Sequence, residues 1–173
     1  MCVAMHISKK VSKKMASNPS KSADNIYCQC RKQAAKKNPK LNSREGAAEL
    51  LGLSVSSLSD YELNVTKVVP VDKVALMADL YDAPELCNYY CKNVCPLGDA
   101  VPKAEVNGLE RITLKALVAL NKMEGIQEEL LSISEDGVVD ENEREDMLRI
   151  IDRLNEIASV SQSLKIWAEK NLK

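Results

Sequence analysis

Residues 42–64, NSREGAAELLGLSVSSLSDYELN, constrain this chain more than any other stretch, because they hold two short helical patterns joined by a turn at Gly52. In the first, Ser43 is placed to cap, Glu45 supports the first turn, and Ala47, Ala48, Leu50 and Leu51 supply apolar contacts. Gly52 stops that helix. Leu53 plugs the turn, and Ser54 is an acceptor placed to cap a second helix whose inward positions are Leu58 and Tyr61. The layout predicts a helix-turn-helix.

The rest of the chain predicts helices as well. Phe is absent and aromatics make up only 3%, so the core must be built from Leu, Ile, Val, Ala and Met, the palette of helix packing. The expected class is all-α. With 173 residues and 45% hydrophobic content there is room for one globular domain and an extension, or for two small domains. No apolar run approaches the roughly 18 residues of a membrane span, and Met1 to Lys14 lacks the apolar centre of a signal peptide. The expected setting is the cytoplasm, with no membrane partner.

Along the chain, 1–24 reads as a flexible basic arm in which Lys and Ser dominate and hydrophobic residues are scattered. A first helix is predicted from Ile26 to about Asn38, ending before Pro39. After the helix-turn-helix, Asn64 to Pro70 reads as a loop. Pro70 opens a helix with Val71, Val74, Ala75, Ala78 and Leu80 inward, and Ala83-Pro84 starts another through Leu86 to Tyr90. Five helices over 25–98 would form a compact domain, and 99–105 would be a linker. Beyond it, Ile112, Ala116, Ala119, Met123, Ile126, Leu130 and Ile133 recur at alternating steps of four and three, as do Ile150, Leu154, Ile157, Ser161, Leu164 and Ala168. Two long helices joined by Ser134 to Glu141 follow, making 106–173 an antiparallel hairpin. A second stripe, including Leu109, Leu117, Leu120, Met147 and Ile151, is left over and needs a partner, most simply a second copy of the chain.

Net charge is only −1, but its distribution is uneven. Residues 1–44 carry 11 Lys or Arg against one acid, Asp24, whereas 45–105 carry 4 against 10 and 106–173 carry 9 against 14. Attraction to phosphate is therefore expected at one end. Lys9 to Lys21 has no apolar period and reads either as a solvated tail or as an arm for polyanions. Arg31, Lys32, Lys36, Lys37 and Lys40 lie directly before the motif, where contacts to a DNA backbone are expected. Val55, Ser56, Ser57, Ser59 and Asp60 form the outward side of the second motif helix, short enough to enter a major groove.

The set Ala48, Gly52, Leu53, Leu58 and Glu62, within Asn42 to Glu62, resembles the Cro and lambda-repressor (XRE-type) helix-turn-helix regulators of bacterial phages and mobile elements. The following VVPVDKVALMADLY, Val68 to Tyr81, is similar to that family's next helices, so about half the chain is covered. The resemblance implies a lambda-repressor-like five-helix bundle followed by the helical hairpin. It also implies a buried ion pair between Arg31 and Glu62. The family's glutamine at the start of the first motif helix falls on Arg44, a departure that keeps phosphate contact but removes the usual amide bridge. Ser43, Arg44, Ser54, Thr66 and Lys67 are the candidate backbone contacts.

Five of six cysteines fall as Cys28, Cys30, Cys87, Cys91 and Cys95. If the first and fifth helices are neighbours, Cys28, Cys30, Cys91 and Cys95 could converge on zinc or an iron–sulfur cluster. The alternative is ordinary buried free cysteine, favoured by spacings unlike those of zinc knuckles. Ser132, Ser134, Asp136, Gly137, Val139, Asp140 and Glu143 echo a calcium loop, but serine at the first and third ligand positions removes most of the necessary charge, and helix capping is preferred. The only histidine, His6, is in the arm, and no serine or cysteine has a nearby base, so an enzyme is not expected.

The resulting expectation is a DNA-binding transcription repressor acting as a homodimer on a palindromic operator. The alternative keeps the DNA-binding end but makes the acidic hairpin a protein-binding effector, such as an antitoxin or an inhibitor of a defence nuclease.

Overall fold

The structure, a computed structural model, describes residues 25–172. The basic arm of 1–24, with its histidine and Cys2, lies outside them. All regular structure among the described residues is helical: α1 (Ile26–Ala34), α2 (Arg44–Leu51), α3 (Val55–Glu62), α4 (Val71–Leu80), α5 (Glu85–Asn93), α6 (Leu109–Asn121), α7 (Ile126–Ile133) and α8 (Arg144–Asn171). None of these helices is long and apolar enough to cross a membrane.

Each early boundary has a local cause. Asn25 caps α1 by accepting from Cys28 N at 3.1 Å. The helix ends at Ala34, earlier than predicted, because Asn38 caps a separate 3-10 turn over Pro39–Asn42. Ser43 caps α2 through Gly46 N, and Gly52 terminates it at φ +62°, a conformation glycine adopts without steric cost. Ser54 caps α3 through Ser57 N.

These five helices close around one core. Leu41, Ala47, Ala48, Leu58, Val74, Met77 and Leu86 are almost fully buried, together with Tyr27, Cys30 and Tyr81. Fully burying a leucine such as Leu58 contributes about 1.5–3 kcal/mol. Tyr27 and Tyr89 meet edge to face, with centroids 6.3 Å apart, and so hold α1 against α5.

The C-terminal third departs from the two-helix prediction. The long helix expected before Ser134 is broken at Gly125, whose φ of +82° turns the chain between α6 and α7. The turn lets Ile126 and Ile133 fold onto Ile150 of α8, joined by Met123 and by Met147, which had been assigned to the leftover stripe. The expected seam of α8 also fails beyond Ile150: Leu154, Ser161 and Leu164 are exposed, while Ser163 and Ile166 are buried. The cause is a change of neighbour. At about 42 Å, α8 outruns α6 and α7 and reaches the first bundle, where Lys170 Nζ bonds Glu85 Oε1 at 2.6 Å. Ser163 accepts from Glu105 N at 2.9 Å, and Asn88 ties down the intervening segment at Pro102 O and Ala104 N. Between α7 and α8, Asp140 accepts from Glu143 N while Glu143 accepts from Asp140 N, a reciprocal cap.

Candidate nucleic-acid interface

The second motif helix is held from behind by a buried charge network. Glu62, at the end of α3, is wholly shielded from solvent. Arg31 of α1 meets it with two prongs, Nε to Oε1 at 2.5 Å and Nη2 to Oε2 at 2.9 Å. The remaining Arg31 nitrogen donates to Leu41 O and Asn42 O at 2.8 and 3.0 Å. One guanidinium thus ties together α1, the turn before α2, and the end of α3. Burial alone would raise the Glu62 carboxyl, but the hydrogen bonds from Arg31 and Arg44 outweigh it and hold the group below the ordinary carboxylate value. The bond to Glu62 in turn raises Arg31.

Arg44 is the third member, and the sequence did not disclose its role. Its Nε donates to Glu62 Oε2 at 2.8 Å, and its side chain remains 30% exposed. Two guanidinium charges therefore share one carboxylate, so the set of three carries one net positive charge. Asn25 and Asn64 were also missed. Asn25 Nδ2 donates to Tyr61 O at 2.9 Å and to Asn64 Oδ1 at 2.8 Å, fastening the end of α3 to the start of α1. Asn64 sits at φ +58°, where asparagine is tolerated, and an asparagine just past the helical pattern was the available signal.

On the other side of α3, Ser54, Val55 and Ser56 are exposed, whereas Ser57, Ser59 and Asp60 are half-buried at the flanks. None of them is drawn into the core. Ser54 and Ser57 share a hydroxyl hydrogen bond of 2.8 Å, which orders the first turn of α3. After the helix the backbone doubles back, with Val65 N and Thr66 N both donating to Asp60 O. Thr66 is half-buried there and Lys67 is exposed. Lys32, Lys36 and Lys40 are solvent-facing or nearly so, while Lys37 reaches Asp82 at 3.3 Å beyond α4.

The five described cysteines are spread between α1 and the α5 end of the bundle. Cys28 and Cys30 are buried in α1, Cys91 and Cys95 are half-buried, and Cys87 is exposed. No group of three or more cysteine, histidine or acidic side chains gathers at a point among the described residues. Burial pushes the Cys30 thiol up to about 12, with Glu85 adding to the shift, so it remains a neutral apolar group. A groove between α6 and α8 has no α3 residue in its lining.

No protein-family model, curated protein or solved structure matches this chain.

Proposed function

We propose that the chain is a sequence-specific DNA-binding regulator, a repressor working as a homodimer on a palindromic operator. The observation that carries this reading is the pairing of an outward α3 ridge, Val55 and Ser56, with a rigid backing through Glu62. A recognition helix must offer side chains to base edges while its own position is held by the fold, and the three-member network supports that division.

In this mechanism Arg44 uses Nε on Glu62 and offers the rest of its guanidinium to a phosphate. Ser43, Ser54, Thr66 and Lys67 add neighbouring backbone contacts. Val55 suits a thymine methyl, Asp60 an amino donor of cytosine, and Ser56, Ser57 and Ser59 suit either kind of edge. Because these side chains are short, few base edges are read directly, and DNA shape supplies part of the specificity. Each phosphate neutralised makes binding steeply salt-dependent.

Selection of bound duplexes from a random pool tests the proposal. The expected product is an inverted repeat with half-sites about 10 bp apart, or a multiple. Replacing Ser56 by Ala should relax preference at one position, and Lys67→Ala should weaken binding evenly while reducing the salt slope by about one. A pool that yields no enriched sequence at low salt refutes it. The lambda-repressor-like description of α1–α5 belongs to the same proposal. An effector role for the acidic C-terminal third is favoured by the aliphatic side chains it leaves in solvent.

A further inference from the structure

Helix α6 is rich in aliphatic residues, yet only two of its residues, Ile112 and Ala119, are buried. Leu109, Leu114, Leu117, Val118 and Leu120 are between 39% and 65% exposed. Aliphatic surface of this extent on one helix marks a contact face. In this chain it has a single long neighbour, α8, with a groove of about 680 Å³ between them. Leu114 and Val118 of α6 and Val160 of α8 line its middle.

The two walls of the groove differ in sign. From α6 and its C-cap the charged lining residues are Arg111, Lys115 and Lys122, and from α8 they are Asp152 and Glu156. A shallower cleft continues past Asp152 and Glu156 to Leu148. There Arg149 and Arg153 of α8 are already engaged, by Glu129 and Asp146 and by the carbonyl of Lys122. Lys103 and Glu105 close the far end, with Glu105 held by Lys115.

We infer that this face receives a second copy of the chain, with the two-fold axis running along the helices. An isologous contact must be complementary to itself, and a pair of antiparallel helices offers two such arrangements. An axis across the helices sets α6 on α6 and brings the basic walls together. An axis along them sets each α6 over the partner's α8, so that basic wall meets acidic wall at both seams. Lys122 lies level with Glu156 within one chain, at 2.8 Å, so the same axis also brings Lys122 level with the partner's Glu156. These ion pairs are nearly half exposed and hold little energy within a single chain, leaving the charges free to be shared. Leu114, Val118 and Val160 from both copies then fill the centre of a four-helix bundle. The face measures roughly 20 Å by 20 Å, and with its relief buries on the order of 600–800 Å² per copy, close to the ~800 Å² per partner of a stable dimer.

This inference rests on the two-copy part of the proposed function and not on DNA recognition. Sedimentation equilibrium of the full chain without DNA tests it. The wild type should sediment as a dimer, Leu114→Asp as a monomer with unchanged circular dichroism, and Leu120→Asp, on the other flank of α6, still as a dimer. Charge reversal gives a second test: a chain carrying Lys115→Glu and Lys122→Glu, and another carrying Asp152→Lys and Glu156→Lys, should each be monomeric. Mixed, they should form a one-to-one heterodimer, because only that pairing restores opposite walls at both seams. A monomeric wild type at hundreds of micromolar overturns the inference. So does a dimer broken by Leu120→Asp and not by Leu114→Asp, or failure of the two reversed chains to pair. A monomer here removes the two-copy part of the proposed function but not DNA recognition, and an empty selection leaves this interface untouched.

Discussion

The first five helices and the last three solve the same problem with opposite completeness. Between Tyr27 and Leu86, sixteen buried residues form one continuous core, with an arginine–glutamate–arginine network at its edge. From α6 onward, among the described residues, only Ile126, Ile133 and Ile150 form a buried cluster of their own, although the segment is rich in leucine and isoleucine. Five short helices of differing direction can enclose a centre. Two long helices and one short one present faces that neither covers. The contrast teaches that apolar content says how much surface must be covered, while topology says whether the chain can cover it alone.

The strongest way to break this comparison is to attack the closed region at its charges. Arg31→Met leaves Glu62 buried with one partner instead of two, and is expected to cost about 3–5 kcal/mol in chemical denaturation. A loss below 1 kcal/mol would mean the network is incidental to the bundle. Truncation comes next: Leu58→Ala, at a position with no exposure, should cost about 2–5 kcal/mol, whereas Leu117→Ala, already half in solvent, should change stability by less than about 0.5 kcal/mol in dilute protein. Equal costs would erase the distinction between the two regions.

Backbone effects should be smaller. Gly52 and Gly125 both have φ well above zero, and a methyl group at either would meet open space. Gly52→Ala and Gly125→Ala should therefore each cost only the strain of the left-handed conformation, about 1–2 kcal/mol. Hydrogen exchange should localise the first to α1–α5 and the second to α6–α8.

The gentlest perturbation is acid. Because the Glu62 carboxyl is depressed in the folded state, the unfolded chain binds its proton first as pH falls. The stabilisation is complete above the ordinary carboxylate value near 4.5 and is lost as pH falls through the lower folded value. Denaturation curves should show this decline in the wild type, and Glu62→Gln should lack that component of the slope.

Much of the first region was legible because its signals are local. Ser43, Gly52 and Ser54 act on backbone groups within a few residues, and the structure has them as caps and stop. The Arg31–Glu62 contact followed from a resemblance, and the structure has it at 2.5 Å. Arg44's bond to the same carboxylate was not legible, since nothing within one helix indicates which acid a long, flexible guanidinium will reach. The α8 seam misled for a related reason. Its regular alternation of Ile150, Leu154, Ile157, Ser161, Leu164 and Ala168 presumes one neighbour along the whole helix, but the neighbour changes midway.

From the amino-acid order alone came the all-helical class, the motif at 42–64, and the abundance of aliphatic surface after residue 106, because caps, turns and periodicity act over a single helical turn or two. Tertiary structure alone decided that Arg44 shares Glu62, that Gly125 folds α7 back onto α8, and which sides of α6 remain uncovered. Those outcomes depend on which helix lies beside which, and that choice is made by the summed packing of distant segments.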